Sequence, residues 1–254
     1  MKKIMLVVLC LIGAMAAANP IDDQCSQFVF NGAPVTAIVK NTQYLCKKNY
    51  GIHYRYDTKT AEYVVQHVTL ASISGPAKRR DDFRADPAIP KQHQSLLSDY
   101  AGLPFDRGHL SPGADNTIDA DIMSESFFLS NMVPQVPNNN RGIWKQLETA
   151  VRGWVKSGRD IYVVSGTVYD AGYRSIGNQV GIPSRLFKVV IDARSNTAIA
   201  FLMPNAALPV KDLSKYAVSI SEVEAATGIN FMPALPAGNR IETEKPKLSA
   251  WPGL

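Results

Sequence analysis

Three apolar runs, at 161–168, 186–191 and 198–203, constrain this chain more than any other feature. Each is rich in Val, Ile or Phe and has the length of a single strand, so each is expected to be a buried strand. Two further strands are expected at 52–57 and 61–70, around a turn at Asp57-Thr58-Lys59-Thr60. In the second, Val64, Gln66 and Val68 share one face, opposite Tyr63, Val65 and His67. A helix is predicted from Asn139 or Asn140 to about Lys156. Trp144, Leu147, Val151, Trp154 and Val155 fall there at helical spacing, and Ser157-Gly158 ends it. Ser219-Ile220-Ser221-Glu222 reads as a capping box for a short helix that stops at Thr227-Gly228. Strands and helices mix without β-α-β alternation, so the fold class is α+β, in one domain over 19–254. Residues 74–104, with three prolines and Lys78, Arg79, Arg80 and Arg84, read as a long loop, and the last twenty residues as a Pro-containing tail.

The first residues point to export. Lys2 and Lys3 precede a short apolar run from Ile4 to Ile12, and small residues follow at Ala14, Ala16, Ala17 and Ala18. That is the layout of a secretory signal peptide spanning residues 1–18, too short for a membrane anchor. Its removal lowers the formal charge from +5 to +3, a mild basicity that suits an anionic partner. The exported chain is expected to be periplasmic or secreted. It keeps Cys25 and Cys46, which in an oxidising compartment read as one disulfide, with two free buried thiols as the alternative. A bridge here closes a loop of about twenty residues, worth roughly 3 kcal/mol. With 46% hydrophobic against 19% charged residues, the chain is not disordered.

Of the four histidines, His53 and His67 sit in strand patterns and His93 in the polar loop, where it is expected to be solvated. His109 differs, because it ends the run Asp106-Arg107-Gly108-His109. A base that titrates near neutrality stands there beside a permanent cation, and Gly108 permits either close backbone approach or positive φ. That pairing suits attack on a phosphate ester. Asn140, Trp144 and Glu148 follow at i, i+4 and i+8, so they stay near one face of the predicted helix. Read alone, Asn140 reads first as an N-cap and Glu148 as an exposed carboxylate, and Arg141 equally as part of a solvated basic face. Asp119 and Asp121 read as surface residues of a helix start. No Gly-x-Ser-x-Gly, His-Glu-x-x-His, GxxxxGK[ST] or GxGxxG occurs, which argues against serine-hydrolase, zinc-protease and nucleotide-cofactor chemistry.

The run from Asp106 to Asp115 resembles the DRGH signature of the DNA/RNA non-specific endonuclease family, the sugar-non-specific nucleases of the ββα-metal class. Residues 128–135 resemble that family's second block, and Asn140, Arg141-Gly142, Trp144 and Leu147-Glu148 its metal-binding helix. Residues 164–167, 182–189 and 200–205 are similar to its later strands. The likeness covers about 50–235, and Ser111-Pro112-Gly113 departs from the Ala-rich stretch common after the signature.

The resemblance implies a central, mostly antiparallel sheet flanked by helices. It implies that His109 is the general base, that Asn140 is the one direct protein ligand of Mg²⁺, and that Glu148 holds a water in that ion's shell. Mn²⁺ or another divalent ion would substitute. Arg107 and Asn131 match positions that support the phosphate or the site, and Arg141 is expected to contact substrate. An upstream arginine is also implied: Arg79, Arg80 and Arg84 are the candidates, with Arg80 preferred. The expected partners are DNA and RNA, single- or double-stranded, cleaved to 5′-phosphate ends. The competing readings are an exported nucleic-acid-binding protein without catalysis, and a phosphodiesterase for small or lipid substrates.

Overall fold

The computed structural model describes residues 24–254, so the expected signal peptide lies outside the described residues. The strands in chain order are β1 (Val35–Thr36), β2 (Thr42–Cys46), β3 (Gly51–Arg55), β4 (Thr60–Val68), β5 (Asp106–His109), β6 (Met132–Gln135), β7 (Ile161–Val168), β8 (Ser175–Ile176), β9 (Val180–Gly181), β10 (Arg185–Asp192), β11 (Thr197–Pro204), β12 (Ala217–Val218) and β13 (Ile229–Asn230). Seven form one sheet in the order β12-β11-β10-β7-β4-β3-β2. Every neighbouring pair in it is antiparallel. The three apolar runs are the adjacent strands β7, β10 and β11 of this sheet.

Side chains that alternate along these strands feed two cores. Val64, Val68, Val163, Leu186, Val190 and Phe201 face one core, together with Trp144, Leu147, Val151 and Trp154. Tyr63, Val65, Val164, Phe187, Val189 and Ile191 face the other, with Phe28, Ile220, Val223 and Phe231. Two short helices come first in the chain, α1 (Leu70–Ser74) and α2 (Ala120–Glu125). The long predicted helix becomes a widened turn at Asn139–Trp144, where Gly142 leaves helical geometry, followed by α3 (Lys145–Lys156). Beyond them lie α4 (Ile220–Thr227) and α5 (Arg240–Thr243). The capping box forms on α4: Ser219 Oγ accepts from the Glu222 amide, and the Glu222 carboxylate accepts from the Ser219 amide. Gly228 closes that helix in the left-handed region, at φ 72°.

Three local expectations change and one holds. The second strand ends at Val68, because Thr69 and Ser72 cap each other reciprocally and open α1. The expected helix start at Asp119 and Asp121 is found: both are exposed, and Asp119 is the N-cap of α2, accepting from the amides of Asp121 and Ile122. His93 is not solvated: it is half-buried and stacked on Tyr56 at 4.1 Å. The expected tail is packed, with Trp251 2% exposed against Trp154 and the Pro252 carbonyl accepting from Trp154 Nε1 at 2.8 Å. Cys25 and Cys46 form a disulfide, Cα to Cα 5.7 Å, which ties the N-terminal segment to β2. Among the described residues no helix is long and apolar enough to cross a membrane.

Candidate active site

β5 is the motif Asp106–His109, paired antiparallel with β6 so that His109 faces Met132 and Asp106 faces Gln135. Gly108 is there for close approach, since a Cβ at this position would collide with the Gln135 side chain. Gln135 is itself pinned by its bond from Nε2 to Asn139 Oδ1 at 2.7 Å. The chain then runs through the Asn139–Trp144 turn into α3, and Trp144 Nε1 donates back to the His109 carbonyl at 3.3 Å. Strand, strand and helix are thereby locked around one spot.

His109 is 8% exposed, and its Nε2 has no hydrogen-bond partner among the described residues. Its ring meets Phe127 edge-on at 5.0 Å and Phe83 at 5.7 Å. Burial first, then the charges of Arg79 and Arg107, push the imidazole down to about 3. It is therefore neutral at ordinary pH and able to accept a proton. Each cation rides on one of the same two rings: Arg107 on Phe83 at 4.3 Å, Arg79 on Phe127 at 5.0 Å.

Asn140 is held differently. Its Nδ2 donates to Asp106 Oδ2 at 2.9 Å, and Arg141 clamps the same carboxylate through Nε at 2.8 Å and Nη2 at 2.6 Å. Burial would raise the Asp106 carboxyl, but these bonds and the charges of Arg141 and Arg107 hold it below the usual carboxylate range. An ionised carboxylate only accepts hydrogen bonds, so the Asn140 amide must present its nitrogen there and leave Oδ1 open. Asn140 is thus not a helix cap. Nor does Asn139 cap the helix: its Nδ2 donates to the carbonyls of Pro204 and Ala206 and its Oδ1 accepts from Gln135.

Glu148, half-buried on α3, faces a charged cluster that sequence reasoning missed. Burial pushes its carboxyl up; Lys188 opposes that most, Asp115 adds to it, and Arg152 and Arg79 oppose it. Asp115 is in turn bonded to Arg152 at 3.0 Å. The remaining expected residues take distinct positions. Arg107 and Arg141 are exposed beside the site. Asn131 is fully buried, and its amide is spent on the Ser111 amide and the carbonyls of Ser111 and Ser126, so it shapes the turn after His109. Arg84 is occupied by Asp82 and the Ser124 carbonyl. Arg80 lies where its charge reaches Asp121, whereas Arg79 is the loop arginine whose charge reaches His109. One sequence signal could have found Arg152, which lies four residues after Glu148 on the same helix face. Nothing local marks Phe83, Phe127 or Lys188.

A two-stranded hairpin ending in a neutral histidine, followed by a helix that presents an amide and a carboxylate to it, is the ββα arrangement of the metal nucleases. A sequence profile of the DNA/RNA non-specific endonuclease family matches residues 31–238, and the chain belongs to that family. It is 31% identical over 244 residues to the mitochondrial nuclease EXOG of Homo sapiens, covering 88% of this chain and 65% of that one. It is 32% identical over 235 residues to nuclease C1 of Cunninghamella echinulata, covering 85% and 90%. The chain spans 58–65% of the length of the human and mouse EXOG relatives. In fold it is similar to a chain of the crystallised EndoG/EndoGI complex, with a TM-score of 0.74, 24% identity, and coverage of 90% and 96%.

Proposed function

We propose that this chain is a divalent-metal-dependent nuclease that hydrolyses phosphodiester bonds within DNA and RNA, single- or double-stranded, without sequence preference, and leaves 5′-phosphate ends. The observation that carries this reading is the neutral, enclosed His109 set between two arginines on the hairpin that also anchors Asn140. Among the described residues no three His, Cys, Asp or Glu side chains are arranged to hold a metal. A single open amide oxygen with a carboxylate nearby fits Mg²⁺, which keeps several of its waters, with Mn²⁺ as a substitute. Asn140 Oδ1 would hold the ion directly and Glu148 would hold one of its waters. The bound ion supplies neutralisation of charge on the reacting phosphate and on the leaving oxygen.

The chain's own residues do the rest. Arg79 and Arg107 bind the phosphate oxygens and orient the diester. His109 takes the proton from the attacking water as the 3′-oxygen departs. Burial holds the imidazole down most and the two cations add to it; an arriving phosphate anion offsets the cations' share, so His109 is a stronger base with substrate bound than without. Phosphate contacts carry no sequence information, and the exposed run Lys78, Arg79, Arg80 extends that surface. Export to the periplasm or the medium belongs to the same reading, supported by the Cys25–Cys46 bridge.

The test is cleavage of plasmid and of RNA by the purified chain in Mg²⁺, with and without EDTA, beside His109→Ala. Cleavage of both polymers is expected, lost with EDTA and reduced about 10²–10⁴-fold in the variant. A folded His109→Ala chain that cleaves as fast as wild type would remove the base assignment. A wild-type chain that retards DNA on a gel and cuts nothing would point to binding alone.

A further inference from the structure

The turn that carries Asn140 also forms one wall of a groove that the mechanism does not use. The groove is open to solvent and encloses about 530 Å³. Arg141 and Gly142 line it from the turn Asn139–Trp144, with Asn138 just ahead, and the segment 207–210 is the opposite wall. Hydrogen bonds stitch the two walls together. Asn139, fully buried, donates from Nδ2 to the carbonyls of Pro204 and Ala206 at 3.0 Å each, and Asn205 Oδ1 accepts from the Val136 amide at 2.9 Å. Leu208 packs against the core shared with α3, and Leu213, 1% exposed, anchors the short helix Val210–Tyr216. Gly142 leaves helical geometry, and the atom that a Cβ there would meet is Val210 Cγ2, at 3.6 Å. The groove is thus shaped by these bonds and by the absence of a side chain at Gly142, and Val210 stands 45% exposed across it.

What the groove takes follows from its chemistry and its place. Leu208, Pro209 and Val210 give it a wall without side-chain hydrogen-bonding groups. Asn138, at its rim, offers both a donor and an acceptor, so it suits any base edge. Cations stand at both walls: Arg141 on one and, next to Val210 in the chain, exposed Lys211 on the other. Arg141 spends Nε and Nη2 on Asp106, at 2.8 and 2.6 Å, so Nη1 remains for an anion. The same carboxylate holds Asn140 at 2.9 Å, so the groove's cation and the open amide oxygen are tied to one side chain. A polyanion that carries apolar flat units matches these features: cations for its phosphates, an apolar wall for sugar and base. We propose that the groove is a nucleoside subsite, which seats the sugar and base next to the scissile phosphate against Pro209 and Val210 while Arg141 binds the adjoining phosphate. The proposal rests on the nuclease reading and deepens it, because an apolar wall grips every base and reads none.

The experiment compares wild type, Val210→Asn and Val210→Ile in the full chain. Binding is measured in EDTA by fluorescence anisotropy, with a labelled oligothymidylate and with its fully abasic counterpart of equal length and charge. Position 210 is exposed, so both substitutions leave the core intact, which thermal unfolding checks. Wild type should bind the thymidylate strand about 10-fold more tightly than the abasic one. Val210→Asn should weaken the thymidylate complex about fivefold and the abasic complex less than about twofold. Val210→Ile keeps the apolar wall and should keep the wild-type preference within about twofold. Equal affinity of wild type for the two strands would overturn the proposal, and so would a Val210→Asn chain that loses equally on both or on neither. Plasmid cleavage in Mg²⁺ by wild type is scored separately. Cleavage with no base preference in binding refutes the groove alone. Base-dependent binding through Val210 with no cleavage refutes the nuclease reading and leaves the groove standing.

Discussion

Gly108→Ala tests why the motif needs glycine at its third position. The added methyl has no room: it lands on the side chain of Gln135, which is fully buried and bonded to Asn139. Gly108 is also absent from the glycines with positive φ, so backbone strain is not the issue. Forcing one carbon into a packed site costs about 1–3 kcal/mol. Pushing Gln135 off Asn139 forfeits a buried hydrogen bond, about 0.5–1.5 kcal/mol more. The sum, about 3 kcal/mol, lowers the melting temperature by roughly 6–12 °C in a domain of this size. Urea unfolding followed by tryptophan fluorescence, with calorimetry beside it, measures the loss. The stronger check is a cycle with Gln135→Ala, which opens the space the methyl needs. The pair should be less destabilised than the sum of the single changes, by about 1 kcal/mol or more. Additive effects, or a Gly108→Ala chain within about 0.5 kcal/mol of wild type, would refute the close-approach argument.

Three other outcomes are expected. Replacing Cys25 and Cys46 by serine opens a loop with a sequence separation of 21, which should lower unfolding free energy in urea by about 3 kcal/mol; folded activity persists, since the bridge is not part of the site. His109 stays neutral in the fold down to about pH 3, while the unfolded chain takes up its proton below the ordinary value of 6.5. The unfolded state then binds more protons in that window, so stability falls as pH drops through it, by up to ~1.4 kcal/mol per unit. His109→Asn should flatten that slope between urea midpoints taken at pH 7 and pH 4.5. Arg79→Ala should lower kcat/KM on DNA by at least about 10-fold, through the lost phosphate contact, and Arg80→Ala by less than about threefold. Equal losses in steady-state assays would return Arg80 to the site.

The parts legible in sequence are those whose signal is local. The runs at 161–168, 186–191 and 198–203 became β7, β10 and β11 because a continuous apolar run of strand length can be buried only as a strand or a short helix segment, and the Val and Ile content favours the strand. Ser219 and Glu222 form their capping box because both partners lie within one turn. The motif and the helix spacing likewise singled out His109, Asn140 and Glu148 as candidates. Where local signals competed, they misled. Asn140 read as a helix cap, but a tertiary partner binds its side chain instead, the Asp106 carboxylate, while Asn139 beside it is taken by Pro204 and Ala206.

Only the tertiary structure decided the environment of those residues. The loop 74–104 has no periodicity to read, yet it delivers Arg79 and Phe83 to His109. Strand register, set by pairing across the whole sheet, put Lys188 beside Ser165 and beneath Trp144. Chain order shows neither, because a pKa or a hydrogen-bond partner depends on distance in space. Sequence by itself therefore picked out the candidate side chains for the chemistry and determined which segments are strands. The fold decided that His109 is neutral and that the Asn140 oxygen is open, since these follow from burial and from partners brought together from distant parts of the chain.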